Sequence, residues 1–367
     1  MEGMPINKSS HINDNNTQNE VNKNNIKELK KYNPKNIEFL NDLAKDSKIQ
    51  YDLDNTFCAF KSINDLLYLI YVNKNNSIIC YNILDNIKVI EIKNSHNKFI
   101  SNFRHYLDTT NKRDLVMSIS AEDNNIKVWN INNFECIADI KNIYIDENFL
   151  YSACFLNDNN NIFIITNAYF GKYLRLNNEI KVFNFNGVKV KSINESQYSS
   201  YFIDVYYDKQ LSKNFIISGN DIQVISYDFN NNKMYKQYFQ QVDRFSYDYD
   251  NQYHYCVYIY NKDNQVNLIE SSCRCKIKIW DFHSAKLLYT VSIGDFSGVF
   301  LLNDNYLYIG YEYGTIKIKK LISGLNVKSL KGHKDKVLTI KKIEHPIYGE
   351  CIISQSYSGI KLWGFSK

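Results

Sequence analysis

The side chains that could perform chemistry in this sequence are its histidines, and their surroundings match no familiar catalytic or metal-binding spacing. The seven are His11, His96, His105, His254, His283, His333 and His345. The hydrolase signatures G-x-S-x-G and H-E-x-x-H do not occur, and neither do the glycine-rich loops that bind phosphates. A histidine outside such patterns is usually a hydrogen-bonded structural group. We therefore expect no catalytic residue, no cofactor and no enzymatic activity.

The eight cysteines predict neither a metal site nor a disulfide framework. Several lie inside apolar runs, where a thiol behaves as a small hydrophobic group. Cys273 and Cys275 form the closest pair, but paired zinc ligands normally have at least two residues between them, and no second pair completes this one. We expect no bound metal ion.

The excess of positive charge is concentrated in residues 276 to 367. The formal net charge is +5, and residues 276 to 367 contain 14 Lys and 7 acidic residues. We call one group of these lysines the basic arc: Lys317, Lys319, Lys320, Lys328, Lys331, Lys334, Lys336, Lys341 and Lys342. Such a group could attract acidic protein, RNA or anionic lipid. The simpler interpretation is a solvated lysine face.

The sequence predicts no secretory signal and no membrane span. The opening residues, MEGMPINKSSHINDNN, have no apolar core. The longest apolar run, Leu66 to Val72, is 7 residues, which is too short to cross a bilayer. We expect a cytoplasmic protein, and a nuclear location stays open.

The chain divides into a polar tail and a strand-rich region. Residues 1 to 47 are rich in Asn and Lys, and predict a disordered tail with one possible short helix at 36–46 (NIEFLNDLAKD). From residue 48 onward, apolar runs of 4 to 8 residues alternate with Asn, Asp, Ser or Gly turns. Helical periodicity is never sustained, so the pattern predicts an all-β fold.

One short motif recurs seven times through the strand-rich region. It is a hydrophobic-basic-hydrophobic-aromatic tetrad such as Ile126-Lys127-Val128-Trp129, which follows a polar turn. Its fourth positions are Tyr81, Trp129, Phe183, Ile225, Trp280, Lys319 and Trp363. The intervals of 48, 54, 42, 55, 39 and 44 residues scatter around the roughly 40 to 45 residues of a four-stranded propeller blade. We expect Ile126 and Val128 to enter one layer between blades and the aromatic residue to fill the other.

The repeated tetrad resembles the third strand of a WD-repeat (WD40) β-propeller blade. The seventh unit carries the resemblance best, with Lys331-Gly332-His333 followed by Lys361-Leu362-Trp363. Ile225 and Lys319 depart from the aromatic fourth position, and Gly364 stands where the family has Asp. The resemblance covers residues 48–367 and implies a seven-bladed propeller.

The resemblance also implies a set of structural residues. In the second unit His96, Ser118, Asp123 and Trp129 match the family's His-Ser-Asp-Trp hydrogen-bond tetrad, and His333 and Trp363 match it in the seventh unit. The last blade lacks an outer strand of its own after Trp363. In WD-repeat proteins an N-terminal strand completes the final blade, so we expect residues 48–52 to pair outside Ile360 to Phe365.

The function that follows from this resemblance is a non-catalytic scaffold for protein-protein interactions in a multiprotein complex. The family's usual docking face bears the loops before each inner strand, which makes Lys334 and Lys336 candidate partner-binding residues. The alternative is an RNA- or ribosome-associated propeller that binds nucleic acid through the basic arc. The sequence offers no motif for a third class, a propeller enzyme.

Overall fold

The structure is a computed structural model that describes most of the strand-rich region. It describes residues 33–49, 56–144, 148–170, 179–194, 200–220, 223–239, 254–262, 265–272, 276–294 and 299–365. The sequence predicted a disordered tail over residues 1 to 47. Residues 1–32 of this tail lie outside the described residues. Residues 33–47 are described and folded, which contradicts the prediction for that part.

The described chain forms seven four-stranded antiparallel sheets, which we call blades 1 to 7. A short 3-10 turn, η1 (Pro34–Asn36), precedes strand β1 (Ile37–Ala44). Blade 1 contains β2 (Phe57–Lys61), β3 (Leu67–Val72), β4 (Ile78–Asn82) and β5 (Ile87–Ile92). Blade 2 contains β6 (Asn102–Asp108), β7 (Arg113–Ser120), β8 (Asn125–Asn130) and β9 (Glu135–Ile140). Blade 3 contains β10 (Asn148–Asp158), β11 (Asn161–Phe170), β12 (Glu179–Phe183) and β13 (Lys189–Asn194).

The remaining blades follow the same order, except that the last one takes its outer strand from β1. Blade 4 contains β14 (Ser200–Asp208), β15 (Lys213–Asn220), β16 (Val224–Asp228) and β17 (Lys233–Tyr238). Blade 5 contains β18 (His254–Lys262), β19 (Gln265–Ser272), β20 (Lys276–Asp281) and β21 (Leu287–Ser292). Blade 6 contains β22 (Phe300–Asn303), β23 (Tyr306–Gly310), β24 (Thr315–Lys320) and β25 (Asn326–Lys331). Blade 7 contains β26 (Val337–His345), β27 (Gly349–Ser356), β28 (Gly359–Phe365) and β1.

The repeated tetrad predicted this architecture correctly. Six of its seven copies lie in the third strand of a blade as predicted. In blade 4 the copy was placed two residues too early, because the outer-strand bulge lies between Ser226 and Tyr227, which makes Tyr227 rather than Ile225 the counterpart of Trp129. Ile126 and Val128 are buried in the core cluster shared by blades 2 and 3, whereas Trp129 is buried in the cluster shared by blades 1 and 2. The alternation of side chains along β8 therefore fills two interfaces with one strand. The all-β fold and the seven-bladed β-propeller are confirmed.

The strand that closes the ring is β1, so two sequence predictions were wrong. Residues 37–44 form a strand that pairs with β28, from Ile37 opposite Phe365 to Ala44 opposite Ile360; they form no helix at 36–46. The predicted closing strand at 48–52 does not pair there either. Ser47 bridges to Asn73, and the Lys48 N–H donates to the Val72 carbonyl at 2.8 Å, so this segment leads into blade 1. Residues 50–52 lie outside the described residues.

The helical prediction failed because β1 contains two bulges. Register shifts leave Leu40 and Leu43 without directly opposed partners in β28. Each extra residue interrupts the two-residue alternation of a strand. The apolar side chains consequently recur at spacings of three, as they do on a helix, although the backbone is extended.

The bulge at Leu40 has a counterpart in every outer strand of the propeller. In each blade one outer-strand residue is skipped opposite the third strand: Leu40, Val89, Ile137, Val190, Tyr235, Leu288 and Val327. All seven are apolar or aromatic. A bulge increases local twist and interrupts the row of unpaired backbone groups at a sheet edge, which hinders pairing with another chain. The shared bulge identifies β1 as the structural equivalent of the other outer strands.

Side chains reinforce the pairing of β1 with β28. Phe39 packs edge-on against Trp363 at 5.7 Å, and Asp42 forms an ion pair with Lys361. The hydrogen bond from Lys361 is the largest influence on Asp42 and holds its pKa below the usual value. A Cβ at Gly364 would lie 2.8 Å from a Leu40 methyl group and 2.7 Å from the Cys351 sulfur. A side chain at position 364, where the resemblance expects Asp, would therefore collide with Leu40 and Cys351.

The described residues contain no helix long and apolar enough to cross a membrane.

The closing role of β1 predicts a large effect of truncating Ile37, which is fully buried. The Ile37→Ala variant should lose about 2–4 kcal/mol of unfolding free energy, because the substitution removes buried methyl groups and leaves a cavity. Chemical denaturation of the full chain measures this loss. The exposed neighbour Glu38 supplies the control, and Glu38→Gln should change stability by less than about 0.5 kcal/mol. An unaffected Ile37→Ala variant would contradict closure by β1.

Candidate functional site

In blade 2 the residues predicted from the resemblance form a three-membered network. Ser118 lies on β7, and its hydroxyl is 2.8 Å from His96 Nε2 and accepts a 2.9 Å hydrogen bond from Trp129 Nε1. Asp123 does not reach His96. Its Oδ2 instead accepts the Lys98 N–H at 2.8 Å, and His96 Nδ1 has no hydrogen-bond partner among the described residues. The implied tetrad is therefore a triad in this blade, and Asp123 fixes the neighbouring loop.

In blade 7 the same network is complete, with serines as the intermediate groups. Ser354 on β27 is 2.7 Å from His333 Nε2 and accepts a 2.7 Å hydrogen bond from Trp363 Nε1. His333 Nδ1 is 2.8 Å from the hydroxyl of Ser356. Ser356 thus makes the contact to the histidine that the resemblance assigns to an aspartate. The sequence analysis identified His333 and Trp363 here but neither serine.

The missed serine can be found by counting through the strand register. Ser118 and Ser354 both stand opposite the lysine two residues before the tryptophan. Their distances from the tryptophan along the chain differ, 11 and 9 residues, because the turn between the second and third strands is two residues shorter in blade 7. A fixed spacing in sequence therefore misses a partner that a fixed register finds.

Trp280, the third tryptophan of the chain, has a hydrogen-bond acceptor at the same register position, but the acceptor is a different residue type. Trp280 Nε1 donates to Glu270 Oε1 at 2.9 Å, and Glu270 stands opposite Lys278, two residues before the tryptophan. Glu270 is only 1% exposed. All three tryptophans therefore anchor the third strand of their blade to a buried polar group on the second strand, which satisfies the indole N–H away from water.

Both network histidines are uncharged at neutral pH. Burial lowers the pKa of His96 to about 4, and the charge of Lys127 adds to this effect. Burial, followed by the charge of Lys361, lowers the pKa of His333 to about 4. A neutral imidazole offers one donor and one acceptor, which is what His333 needs to bridge the hydroxyl groups of Ser354 and Ser356. The geometry gives these histidines a structural role.

The two predicted partner-binding lysines lie together in the loop before β26, at residues 332–336. Lys334 is exposed, whereas Lys336 is half-buried and forms a 3.3 Å ion pair with Glu312 in the turn at 311–314 of blade 6. Gly314 in that turn has φ 73°, and a Cβ there would lie 2.3 Å from the His333 carbonyl oxygen. The turn and the loop are therefore in direct contact.

Two exposed tyrosines flank this loop. Tyr313, in the turn of blade 6, is 90% exposed, and Tyr357, in the turn before β28, is 47% exposed. The Ser358 N–H donates to Asp335 Oδ1 at 3.2 Å, which ties the second turn to the same loop. We call Tyr313, Lys334 and Tyr357 the tyrosine rim. Sequence reasoning found Lys334 but not the tyrosines, because their proximity depends on the packing of two blades.

The basic arc is not a single patch. Its members extend from the inner strand β26 to the outer strand β25. Lys317 lies over the Tyr311 ring at 4.2 Å, Lys328 donates to the Lys35 carbonyl at 2.8 Å, and Lys342 pairs with Glu350. Several of these charges are therefore engaged by aromatic, carbonyl or carboxylate groups of the protein itself.

A cavity of about 250 Å³ lies along the inner strands of the ring. Successive inner strands contact one another around the axis, including β2 with β6 and β26, and β14 with β10 and β18. The charged lining residues are Arg104 of β6, Asp204 of β14 and Lys341 of β26. These three residues are separated by at least about 100 positions in sequence, so no local motif could predict that they lie together.

Arg104 joins three blades at this cavity. Its Nε donates to the Ala153 carbonyl of blade 3 at 3.2 Å, and its Nη2 donates to the Ile203 carbonyl of blade 4 at 3.4 Å. The Ser152 hydroxyl is a further acceptor at 3.5 Å. The guanidinium of a residue on blade 2 is thus fixed in the central channel by backbone groups of the next two blades.

Comparison with models of known protein families gives no match, and comparison with curated proteins gives no significant relative. The propeller architecture is therefore established by the strand order and register of this chain. Any finer family assignment rests on the geometry described above.

The register rule predicts that Ser354 stabilises blade 7. In Ser354→Ala the indole N–H of Trp363 and the Nε2 of His333 lose their shared partner while they stay buried, so unfolding free energy should fall by about 1–3 kcal/mol. Urea denaturation measures the loss. Ser329 is exposed on outer strand β25, and Ser329→Ala should be neutral. Equal effects of the two variants would show that the network adds no stability.

The low histidine pKa values predict that stability falls on mild acidification. The unfolded chain binds protons below about pH 6.5, whereas folded His96 and His333 resist protonation until about pH 4. Stability is therefore fully present above pH 6.5 and is lost as the pH falls toward 4, by about 2 kcal/mol per histidine between pH 7 and 5. In His333→Gln, the difference between unfolding free energies at pH 7 and 5 should shrink by about that amount. An unchanged difference would contradict this assignment.

Proposed function

We propose that this chain is a divergent WD-repeat propeller that acts as a non-catalytic platform for protein-protein interactions. The WD-repeat assignment is supported by the His-Ser-Trp networks of blades 2 and 7, which reproduce three members of the family's tetrad at 2.7 to 2.9 Å. Asp123 does not contact its histidine, so the assignment depends on these three members and on the seven repeated third strands.

The observation that carries the platform role is the tyrosine rim. Two exposed tyrosines and an exposed lysine lie on turns and a loop that contact one another across blades 6 and 7. Tyrosine is enriched at protein interfaces because it offers a large apolar surface and a hydroxyl group with few rotatable bonds. The rim lies on the face that bears the loops before the inner strands, where the resemblance places the docking surface.

The closed ring explains why such a rim can bind a partner without rearranging. Loops that connect paired strands are held at both ends, and here they are also tied to each other through Asp335 and Gly314. A preorganised surface loses little conformational entropy when it binds. We propose that the partner is another protein of a multiprotein complex.

Binding of RNA or a ribosome through the basic arc is the competing function. Lys317, Lys328 and Lys342 already contact groups of the protein. This arrangement favours the protein-binding proposal, because a phosphate backbone requires accessible cations along its path.

Affinity purification of the tagged full-length chain from its native cells tests the proposal. We expect the wild type to retain a defined set of proteins in high salt and after nuclease treatment. Tyr313→Ala should reduce recovery of that set by roughly tenfold or more, because truncating an interface tyrosine often costs about 2 kcal/mol.

Lys209→Glu supplies the matched control, because Lys209 is exposed in a turn on the opposite face of the propeller. It should leave recovery unchanged, and thermal unfolding should show that both variants fold. Recovery that disappears with nuclease or salt would support the nucleic-acid function instead. Equal loss in both variants would reject the tyrosine rim as the docking surface.

A further inference from the structure

Lysines are concentrated around one edge of blade 1, on the face that bears the tyrosine rim. Three segments meet at this edge: residues 45–49 before β2, the turn at 73–77 between β3 and β4, and residues 93–101 between β5 and β6. They contain five Lys and one acidic residue. Four of these lysines are exposed and form no ion pair in the described part of the chain, and we call them the blade 1 lysines: Lys48, Lys74, Lys93 and Lys98.

Backbone hydrogen bonds hold the three segments together. The Lys74 N–H donates to the Asp46 carbonyl at 3.0 Å, which joins the turn at 73–77 to residues 45–49. The side-chain amide of Asn76 donates to the Lys98 carbonyl at 2.9 Å, which joins the same turn to residues 93–101. Lysines from three separate stretches of the chain therefore lie on one surface, whose backbone is fixed before any partner binds.

The nearest carboxylates are engaged by groups of the protein itself. Asp46 Oδ1 accepts a hydrogen bond from the Tyr71 hydroxyl at 2.9 Å. In the adjoining turn of blade 2, Asp123 Oδ2 accepts the Lys98 N–H at 2.8 Å. Neither carboxylate pairs with an ammonium group of the blade 1 lysines. This part of the face therefore presents a positive potential, which attracts an anionic partner and raises its rate of association.

The blade 1 lysines continue the surface of the tyrosine rim. A Cβ at Gly359 would lie 2.9 Å from the Ala44 carbonyl oxygen, so the turn that carries Tyr357 adjoins the segment that leads to Lys48. Lys334 on the rim is exposed and also forms no ion pair among the described residues. A partner seated on the rim thus reaches the blade 1 lysines without crossing to another face of the propeller.

An acidic protein segment fits this surface better than a nucleic acid does. Exposed acidic residues border it on both sides: Glu122 lies beside Asp123, and Glu312 lies beside Tyr313 on the rim. A nucleic acid carries a charge at every phosphate and would be repelled wherever its backbone passed these carboxylates. A peptide can place acidic side chains over the lysines alone and apolar side chains against the tyrosines.

We propose that the partner of the platform docks through an acidic segment, rich in Asp or Glu, which lies across the blade 1 lysines and extends onto the tyrosine rim. This docking mode rests on the platform function proposed above and specifies the chemistry of its partner. A single exposed ion pair contributes little to affinity, so several of the lysines must act together.

Fluorescence anisotropy of the purified full-length chain tests this docking mode, with a labelled synthetic peptide of alternating glutamate and glycine as the probe. We expect saturable binding that weakens as salt is added, because salt screens exposed charges. A peptide with glutamine in place of glutamate should bind at least about tenfold more weakly. The double variant Lys74→Glu/Lys98→Glu should weaken binding of the acidic peptide by about tenfold or more, because two attractions become repulsions.

The double variant Lys112→Glu/Lys209→Glu is the matched control. Both lysines are exposed in turns on the opposite face, and the change in net charge is the same. This variant should bind the acidic peptide as the wild type does. Lys93→Glu alone should weaken binding about threefold, which provides a second test if the Lys74/Lys98 variant fails to fold.

Three results would overturn the acidic docking mode. They are an absence of saturable binding to the wild type, equal losses in the two double variants, and tighter binding of an oligouridine RNA than of the acidic peptide. The platform function fails by a different measurement, since it is rejected when the tagged chain recovers no defined set of proteins. A recovered set without binding of the acidic peptide rejects the docking mode alone.

Discussion

The pairing of β1 with β28 is the contact on which the rest of the propeller depends. Each blade has two apolar faces, and a blade without a neighbour leaves one face in water. Only a closed ring covers every face, and closure here requires residues 37–44 to complete a blade whose other strands lie about 300 positions later. The core cluster between blades 7 and 1 includes Leu43 and Ala44, so the closing strand also contributes to an interface between blades.

Within the ring, each blade meets the same two structural requirements in the same way. The third strand must fill two layers at once, and the outer strand must end the sheet without offering an edge to another chain. Alternation along β8 meets the first requirement. An outer-strand bulge opposite the third strand meets the second requirement in all seven blades, and the skipped residue is apolar or aromatic each time. The buried acceptor of the tryptophan N–H is equally variable, serine in two blades and glutamate in a third.

The tyrosine rim and the central cavity are two different products of this architecture. The tyrosine rim arises where turns of adjacent blades meet at one face, so its residues are fixed by contacts such as that between Ser358 and Asp335. The central cavity arises where inner strands of several blades come together and Arg104 reaches carbonyl groups of blades 3 and 4. The rigid ring supports both, because neither surface belongs to a single blade.

The sequence alone determined the fold class, the number of blades, the third-strand motif of six blades and two of the network tryptophans, because these features repeat with local periodicity. It placed the closing strand wrongly, since two bulges in residues 37–44 imitate helical spacing and the true partner of that strand is remote in sequence. It also missed Ser354 and Glu270, whose positions are constant in strand register but not in chain spacing. Only the tertiary structure decided which residues meet at the rim and in the channel. Those sites combine side chains from different blades, and their proximity is set by the packing of the ring rather than by any local pattern.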